Sequence, residues 1–314
     1  MLLALNGIAE VDAETLFAEH RRWDALHGAG ALAPPPARPA LPEGPLRIGY
    51  VSSDLRRHSV AYFIEPLLAA HDRTRFYVVC YSDVGAEDDV TRQLRAHAHL
   101  WRPITGLGDS EVIERIRGDG VDILVDLGGH TMRNRLGVFA GRAAPVQVSY
   151  LGYPNTTGLA AMDWLITDSI ADAPGADAHY TERLVRLDRG FLCYRPPPDA
   201  PPSGPDRPVT FVSCNSLAKV GPQTIETWTQ ILEALPDSRL LLKTKAFACA
   251  GTRGRVAEKF ARKGVARDRL EMAGWTDPGA HLSYLRPAPT SPSTHGPTTA
   301  PRPRSRRCGW KPPW

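Results

Sequence analysis

The sequence predicts an α/β chain built from two Rossmann-like units. Three observations carry this. Short runs rich in Val, Ile, Leu and Tyr, such as "LRIGYVS" (46–52), "FYVVCYS" (76–82) and "VDILVDLGG" (121–129), recur with helix-patterned stretches between them. Apolar strands that alternate with helices imply a parallel sheet covered on both faces. The alternation breaks at a proline-rich joint, "RPPPDAPPSGPDRP" (195–208), and restarts at "VTFVSCNS". The chain's 314 residues suffice for two such units.

Taken in order, residues 1–45 hold one amphipathic helix and a connector. In "DAETLFAEHRRWDALH" (12–27), Asp12 can cap the helix, and Leu16, Phe17, His20 and Trp23 fall near one face. "GALAPPPARPALPEGP" (30–45) cannot form a core. The first Rossmann-like domain is expected over 46–194. Its strand "LRIGYVSSD" leads to a helix "VAYFIEPLLAAH" made irregular by Pro66. After the second strand, "DVTRQLRAHAHLW" reads as one helix and "SEVIERIRGDG" as another, with Ser110 its candidate cap. The buried strand at 121–129, a helix at 134–142, the strand "PVQVSYLGYP" and the short strands "MDWLITD" and "ERLVRL" complete it. The 195–208 linker follows. Residues 209–285 then give three βα units: "VTFVSCNS", "PQTIETWTQILEAL", "SRLLLKT", a helix at 251–263, "RLEMAGW" and the start of a helix at "AHLSYLR". A doubly wound sheet normally has more strands, so the second domain is expected to be incomplete.

Composition excludes several classes. The formal charge is +4, but residues 286–314 contain six basic residues and no acidic one. The remainder is nearly neutral, so no basic face argues for nucleic acid. Five cysteines stand without metal-type spacing, as expected of reduced thiols in a cytoplasm. No apolar run is long enough to span a bilayer, and the N-terminus lacks a signal pattern. Neither GxxxxGK nor GxGxxG follows a strand, and no Asp-x-Asp pair offers a divalent metal site.

Ligands of such sheets bind beyond the carboxyl ends of the strands. Four segments lie there: "SSDLRRHSVAYF" with His58, "DLGGHTMRNR" with Gly128, Gly129, His130 and Thr131, "LGYPNTTG" (151–158), and "SCNSLAKVGP" with Lys219. Singly each has a bland reading. A loop histidine such as His58 or His130 is usually solvated or caps a helix, a Gly-Gly pair usually makes a turn, and a loop lysine usually faces solvent. Together, at one edge of successive strands, they point to a cleft.

At these residues the chain resembles the catalytic region of the O-linked N-acetylglucosamine transferases and their SPINDLY-like relatives. The matching text is "LRIGYVSSDLRRHSVAYFIEPLLAAHD", "VDILVDLGGHT", "APVQVSYLGYPNTTGLAAMDWLITD", "GFLCYRPP", "NSLAKVGPQTI" and "RLEMAGW", spanning roughly 46–285. The resemblance implies two Rossmann-like domains of the GT-B kind. It implies inverting, metal-independent transfer of N-acetylglucosamine from UDP-GlcNAc to Ser or Thr of acceptor proteins, with no cofactor besides the donor. A GDP-fucose donor, as in the SPINDLY branch, is the alternative, and the text before residue 286 does not separate the two. Residue by residue, it implies that His58 lies on the acceptor side, that Thr131 and Leu151–Gly152 line the sugar, that Lys219 grips the diphosphate and that His281 sits near the base. His58 and Lys219 are the catalytic candidates, His58 as base or as orienting group. The first helix resembles the end of a linker from tetratricopeptide repeats, and with no repeat period visible the repeats themselves are expected to be absent. At "SCNS" the chain departs from the Phe-Asn-Asn text expected near Lys219.

The end of the chain, "RPAPTSPSTHGPTTAPRPRSRRCGWKPPW" (286–314), has eight prolines and no hydrophobic period. The family would continue as Ala-Asp-Ile-Ala-Leu-Asp-Thr-x-Pro-Tyr-Asn-Gly-Thr-Thr and then Glu-Ala-Leu-Trp-Met. Back-translated and read one nucleotide earlier, "PTSPSTHGPTTAP" can give the first of these runs and "RRCGWKPPW" the second. A frameshift near Arg286 or Pro287 is therefore expected, with an aberrant disordered tail in place of a phosphate-binding helix start. The chain as it stands is then expected to be inactive, a non-catalytic frameshifted remnant being the reading from another class.

Overall fold

The computed structural model describes residues 2–8, 10–28, 44–195 and 209–276. His281, most of both proline-rich joints, the helix expected at "AHLSYLR" and the 286–314 tail lie outside these residues. The chain divides into two compact units, Met1–Pro198 and Asp199–Trp314.

The first unit opens with α1 (Leu2–Leu5) and α2 (Ala13–His27). Asp12 caps α2, its Oδ1 accepting from the Thr15 amide at 2.7 Å. The sheet strands are β1 (Leu46–Ser52), β2 (Phe76–Ser82), β3 (Leu100–Pro103), β4 (Ile123–Asp126), β5 (Val146–Tyr150), β6 (Trp164–Thr167) and β7 (Arg183–Arg186). The helices between them are α3 (Ser59–Ala70), α4 (Asp89–His97), α5 (Asp109–Gly118) and α6 (Leu136–Ala140). All seven strands run parallel in the order β3-β2-β1-β4-β5-β6-β7.

Alternation along each strand sends side chains to two separate cores. Val51, Val79, Tyr81 and Leu124 pack with Val112 and Ile116 of α5 and Val138 and Phe139 of α6. Tyr50, Val78, Cys80 and Val125 pack on the other face with Ile64 and Leu68 of α3 and Leu94 of α4. Both faces of the sheet are thus covered, which is why Ile48–Val51 of β1 and Phe76–Tyr81 of β2 read as apolar runs.

Two local expectations change. "DVTRQLRAHAHLW" is not one helix: α4 ends at His97, and Leu100–Pro103 become an edge strand paired with β2. The His99 amide donates to Val78 O at 2.9 Å, so sheet pairing captures backbone groups that a longer helix would have used internally. Ser110 does not cap α5 either. Gly108 occupies the cap position, and the Glu111 carboxylate reaches back to its amide at 2.9 Å.

The described part of the second unit has a parallel sheet in the order β10-β9-β8. Its strands are β8 (Thr210–Ser213), β9 (Arg239–Lys243) and β10 (Leu270–Ala273), with α7 (Pro222–Ala234) and α8 (Ala250–Ala261) between them. Pro222 opens α7, where its missing amide proton costs nothing. Ile225 and Leu232 of α7, Leu240 and Leu242 of β9 and Phe260 of α8 form its core.

Candidate functional site

The strand order fixes where the first unit can hold a ligand. The chain winds outward from β1 through β2 to β3, then returns to add β4 on the other side of β1. The order therefore reverses between β1 and β4, and the crevice beyond their carboxyl ends is the natural binding position. His58 follows β1, and Gly128–Thr131 follow β4, so both flank this reversal.

His58 is the N-cap of α3 and half-exposed; its Nδ1 accepts from the Val60 amide at 3.3 Å. In a neutral ring that bond puts the proton on Nε2. An Asp54 carboxylate oxygen lies 3.7 Å from the same Nδ1, and Asp54 is itself nearly buried. The bland reading of a capping histidine and a role at the crevice are thus compatible at this one residue.

The turn after β4 is built by Asp126, which is buried at the strand end. Its two carboxylate oxygens accept from the Gly128 amide at 3.1 Å and the Gly129 amide at 2.7 Å. Burial pushes its carboxyl up to about 6, although both amides act to lower it. Gly129 has φ 51°, and a Cβ there would stand 2.2 Å from Tyr153 Cβ. Thr131 closes the turn, its hydroxyl donating to Gly128 O at 2.8 Å. Arg135 Nε donates to Asp83 Oδ2 at 3.0 Å, tying the loop to the end of β2.

Beside it, β5 ends in a strained turn. Leu151 has φ 76°, and the Gly152 amide donates to Tyr150 O at 3.0 Å. An i to i+2 bond around a positive central φ marks the rare, strained form of γ-turn. A leucine held there costs on the order of 1–3 kcal/mol, and such strain concentrates at ligand sites. Gly152 lies so close to the end of β4 that a Cβ would come 1.9 Å from Leu127 O. The structure thus brings Thr131, Leu151 and Gly152 into adjoining turns at one sheet edge.

In the second unit, Lys219 ends a short 3₁₀ turn, Leu217–Lys219, directly after β8. Ser216 caps that turn, its Oγ accepting from the Ala218 amide at 3.4 Å. Lys219 is exposed, and among the described residues no carboxylate pairs with its ammonium. Lys243, the last residue of β9, is a further polar residue here that no motif in the sequence marks. It is buried at the same sheet edge, and its Nζ donates to Gly274 O at 3.0 Å and Thr276 Oγ1 at 2.8 Å. A lysine directly after the apolar run "LLL" (240–242) was the available signal. Asp126, Tyr153 and Glu182 also stand outside the sequence-predicted site residues. Glu182 is buried and accepts from Thr156 Oγ1 at 2.6 Å and the Thr157 amide at 2.7 Å.

A profile described as glycosyl transferase family 41 matches residues 33–194, about half of the chain. The chain belongs to glycosyl transferase family 41. It is 44% identical over 285 residues to the probable UDP-N-acetylglucosamine–peptide N-acetylglucosaminyltransferase SPINDLY of Solanum lycopersicum, covering 86% of this chain and 30% of that protein. The corresponding SPINDLY protein of Oryza sativa subsp. japonica is 42% identical over 297 residues, 90% of this chain and 31% of that one. Among solved structures, a mutant of the O-GlcNAc transferase of Thermobaculum terrenum superposes with a TM-score of 0.84 at 41% identity, covering 91% of this chain and 55% of that one. The fold class is therefore the α/β, GT-B type expected, and the chain spans about a third of the length of the curated relatives it matches. No helix among the described residues is long and apolar enough to cross a membrane.

Proposed function

We propose that this chain carries the catalytic region of a protein O-GlcNAc transferase. Read in the unbroken frame after residue 285, it would move N-acetylglucosamine from UDP-GlcNAc to Ser or Thr hydroxyls of acceptor proteins, in a cytoplasm and without a metal or further cofactor; the chain with its present end would be inactive. The observation that carries the reading is the strained Leu151–Gly152 turn after β5, set against the Gly128–Thr131 turn that flanks the point where the sheet of a family 41 chain reverses its strand order. The relatives' names, which pair a UDP-N-acetylglucosamine donor with a peptide acceptor, support the same donor and do not favour the GDP-fucose alternative. The described cysteines are free thiols, in keeping with a reducing compartment.

In this reading the acceptor oxygen attacks the anomeric carbon as the bond to the diphosphate breaks, inverting that centre and releasing UDP. Thr131, Leu151 and Gly152 shape the sugar position, and His281 stays assigned to the base. Lys219 supplies fixed positive charge to the leaving diphosphate, the role that fits an exposed ammonium without a carboxylate partner among the described residues. His58 meets the acceptor hydroxyl. With Nδ1 capping α3 it offers Nε2–H and orients the oxygen. When Nδ1–H turns to Asp54 instead, Nε2 is free to take the proton.

The test is transfer from UDP-GlcNAc and from GDP-fucose to Ser/Thr peptides, followed by mass spectrometry. It is run on this chain and on one whose codons after 285 are read one nucleotide earlier. Transfer of N-acetylglucosamine by either supports the reading. Transfer of fucose alone overturns the donor, and no transfer by either overturns the activity.

A further inference from the structure

Beneath the 151–158 loop lies a buried polar cluster that joins helix α2 to both turns of the first unit. His20, on α2, is fully buried although it is an ionisable residue on a surface-patterned helix. Its Nδ1 donates to Leu16 O at 2.6 Å, because a carbonyl can only accept. Nε2 must then be an acceptor in the neutral ring, and Tyr153 OH donates to it at 2.6 Å. Tyr153 OH in turn accepts from Asn6 Nδ2 at 2.7 Å, and Asn6 Oδ1 accepts from Asn155 Nδ2 at 2.9 Å. The chain of bonds has one polarity from end to end. Burial holds the His20 imidazole below its ordinary pKa, against the pull of the Leu16 carbonyl, Glu182 and Glu19.

The same residues touch the other turn. Tyr153 fills the space where Gly129 would carry a Cβ. The His130 ring stands edge-on to those of His20, Trp23 and Tyr153, with centroids 5.1, 4.9 and 5.4 Å away. His130 Nε2 donates to Thr157 O at 2.6 Å. Gly158, at φ 73°, lies against the α2 backbone, where a Cβ would meet His20 C and O at 2.5 Å.

We propose that His20 is a positioning residue: by accepting from Tyr153 it makes α2 the support that holds the 128–131 and 151–158 turns in register. This rests on the functional reading only in that those turns carry the sugar positions. An ordinary satisfied core histidine would stabilise the whole unit equally. A positioning histidine acts on these turns first, and what matters is its acceptor toward Tyr153.

The experiment is amide hydrogen exchange on the full chain for Tyr153→Phe, His20→Leu and His20→Gln. Tyr153→Phe and His20→Leu are expected to speed exchange at 128–131 and 151–158 by about tenfold or more, with 46–52 and 76–82 unchanged. His20→Gln restores protection, since its amide oxygen can accept from Tyr153. Unchanged exchange at the turns, equal acceleration throughout the sheet, or a Gln variant no better than Leu would each overturn the proposal. If His20→Leu does not fold, Tyr153→Phe, which removes one oxygen, decides alone. UDP-GlcNAc binding by the unsubstituted chain with its codons after 285 read one nucleotide earlier reads the sugar assignment separately. An exchange effect without donor binding leaves the positioning role standing and removes the assignment.

Discussion

Gly152→Ala is the sharpest steric test of the β5 turn. The added Cβ would lie 1.9 Å from Leu127 O, 2.8 Å from Leu127 C and 3.4 Å from Gly128 Cα. All three are backbone atoms, so no rotamer change can relieve the clash. They also belong to the segment held by Asp126 through the Gly128 and Gly129 amides. Overpacking by one carbon costs about 1–3 kcal/mol where side chains can shift. With backbone on the far side, the cost should reach the top of that range, about 3 kcal/mol. For a unit of this size that is a fall of about 6–12 °C in melting temperature. Gly118→Ala is the matched control. It lies at the end of α5, where a Cβ would meet nothing within 4 Å, so the substitution should stabilise by about 0.5–1 kcal/mol. Calorimetric unfolding of the two variants beside the parent measures both. A Gly152→Ala protein that melts within a degree or two of the parent would refute the close approach of β5 to the end of β4.

Three further outcomes are expected. Lys219→Ala should leave melting unchanged, because the residue is exposed, while lowering transfer in an active frame by on the order of 3–4 kcal/mol of barrier; turnover near the parent's would remove its role. Asp126 and His130 should make opposing contributions to stability against pH. Folding raises the Asp126 carboxyl to about 6, so its contribution falls as pH rises from about 4 to 6, whereas folding lowers His130 to about 4, so its contribution falls as pH drops from about 6.5 to 4. Relative to the parent, Asp126→Asn should therefore lose more stability toward acid and His130→Gln less, as read by urea unfolding across pH 4–7; profiles parallel to the parent's would contradict the assignment. Finally, the coding DNA after codon 285 should read the family text one nucleotide earlier, and early stops there would end the frameshift reading.

Much of the fold was legible because parallel strands buried on both faces are mostly apolar. Most of β1, β2 and β4 showed as runs of Val, Ile, Leu and Tyr without any partner being known, and Asp12 announced the start of α2 through purely local chemistry. The edge strand β3 was not legible. Its residues continue a helical pattern, and only the free edge of β2 turns them into a strand.

The candidate site divides in the same way. His58, Thr131 and Lys219 could be placed at strand ends from chain order alone, since each follows a strand directly. The left-handed Leu151 could not, because an L-residue adopts that conformation only where surrounding packing enforces it. The pairing of His20 with Tyr153, 133 positions apart, could not either. Periodicity put His20 on the inward face of a helix, but a period says nothing of which polar group waits there. Sequence determined the elements and their order, because those follow from local propensity and burial. Tertiary structure alone decided how the turns after β4 and β5 meet over α2, because complementary hydrogen bonds and close glycine contacts form only once distant segments are brought together.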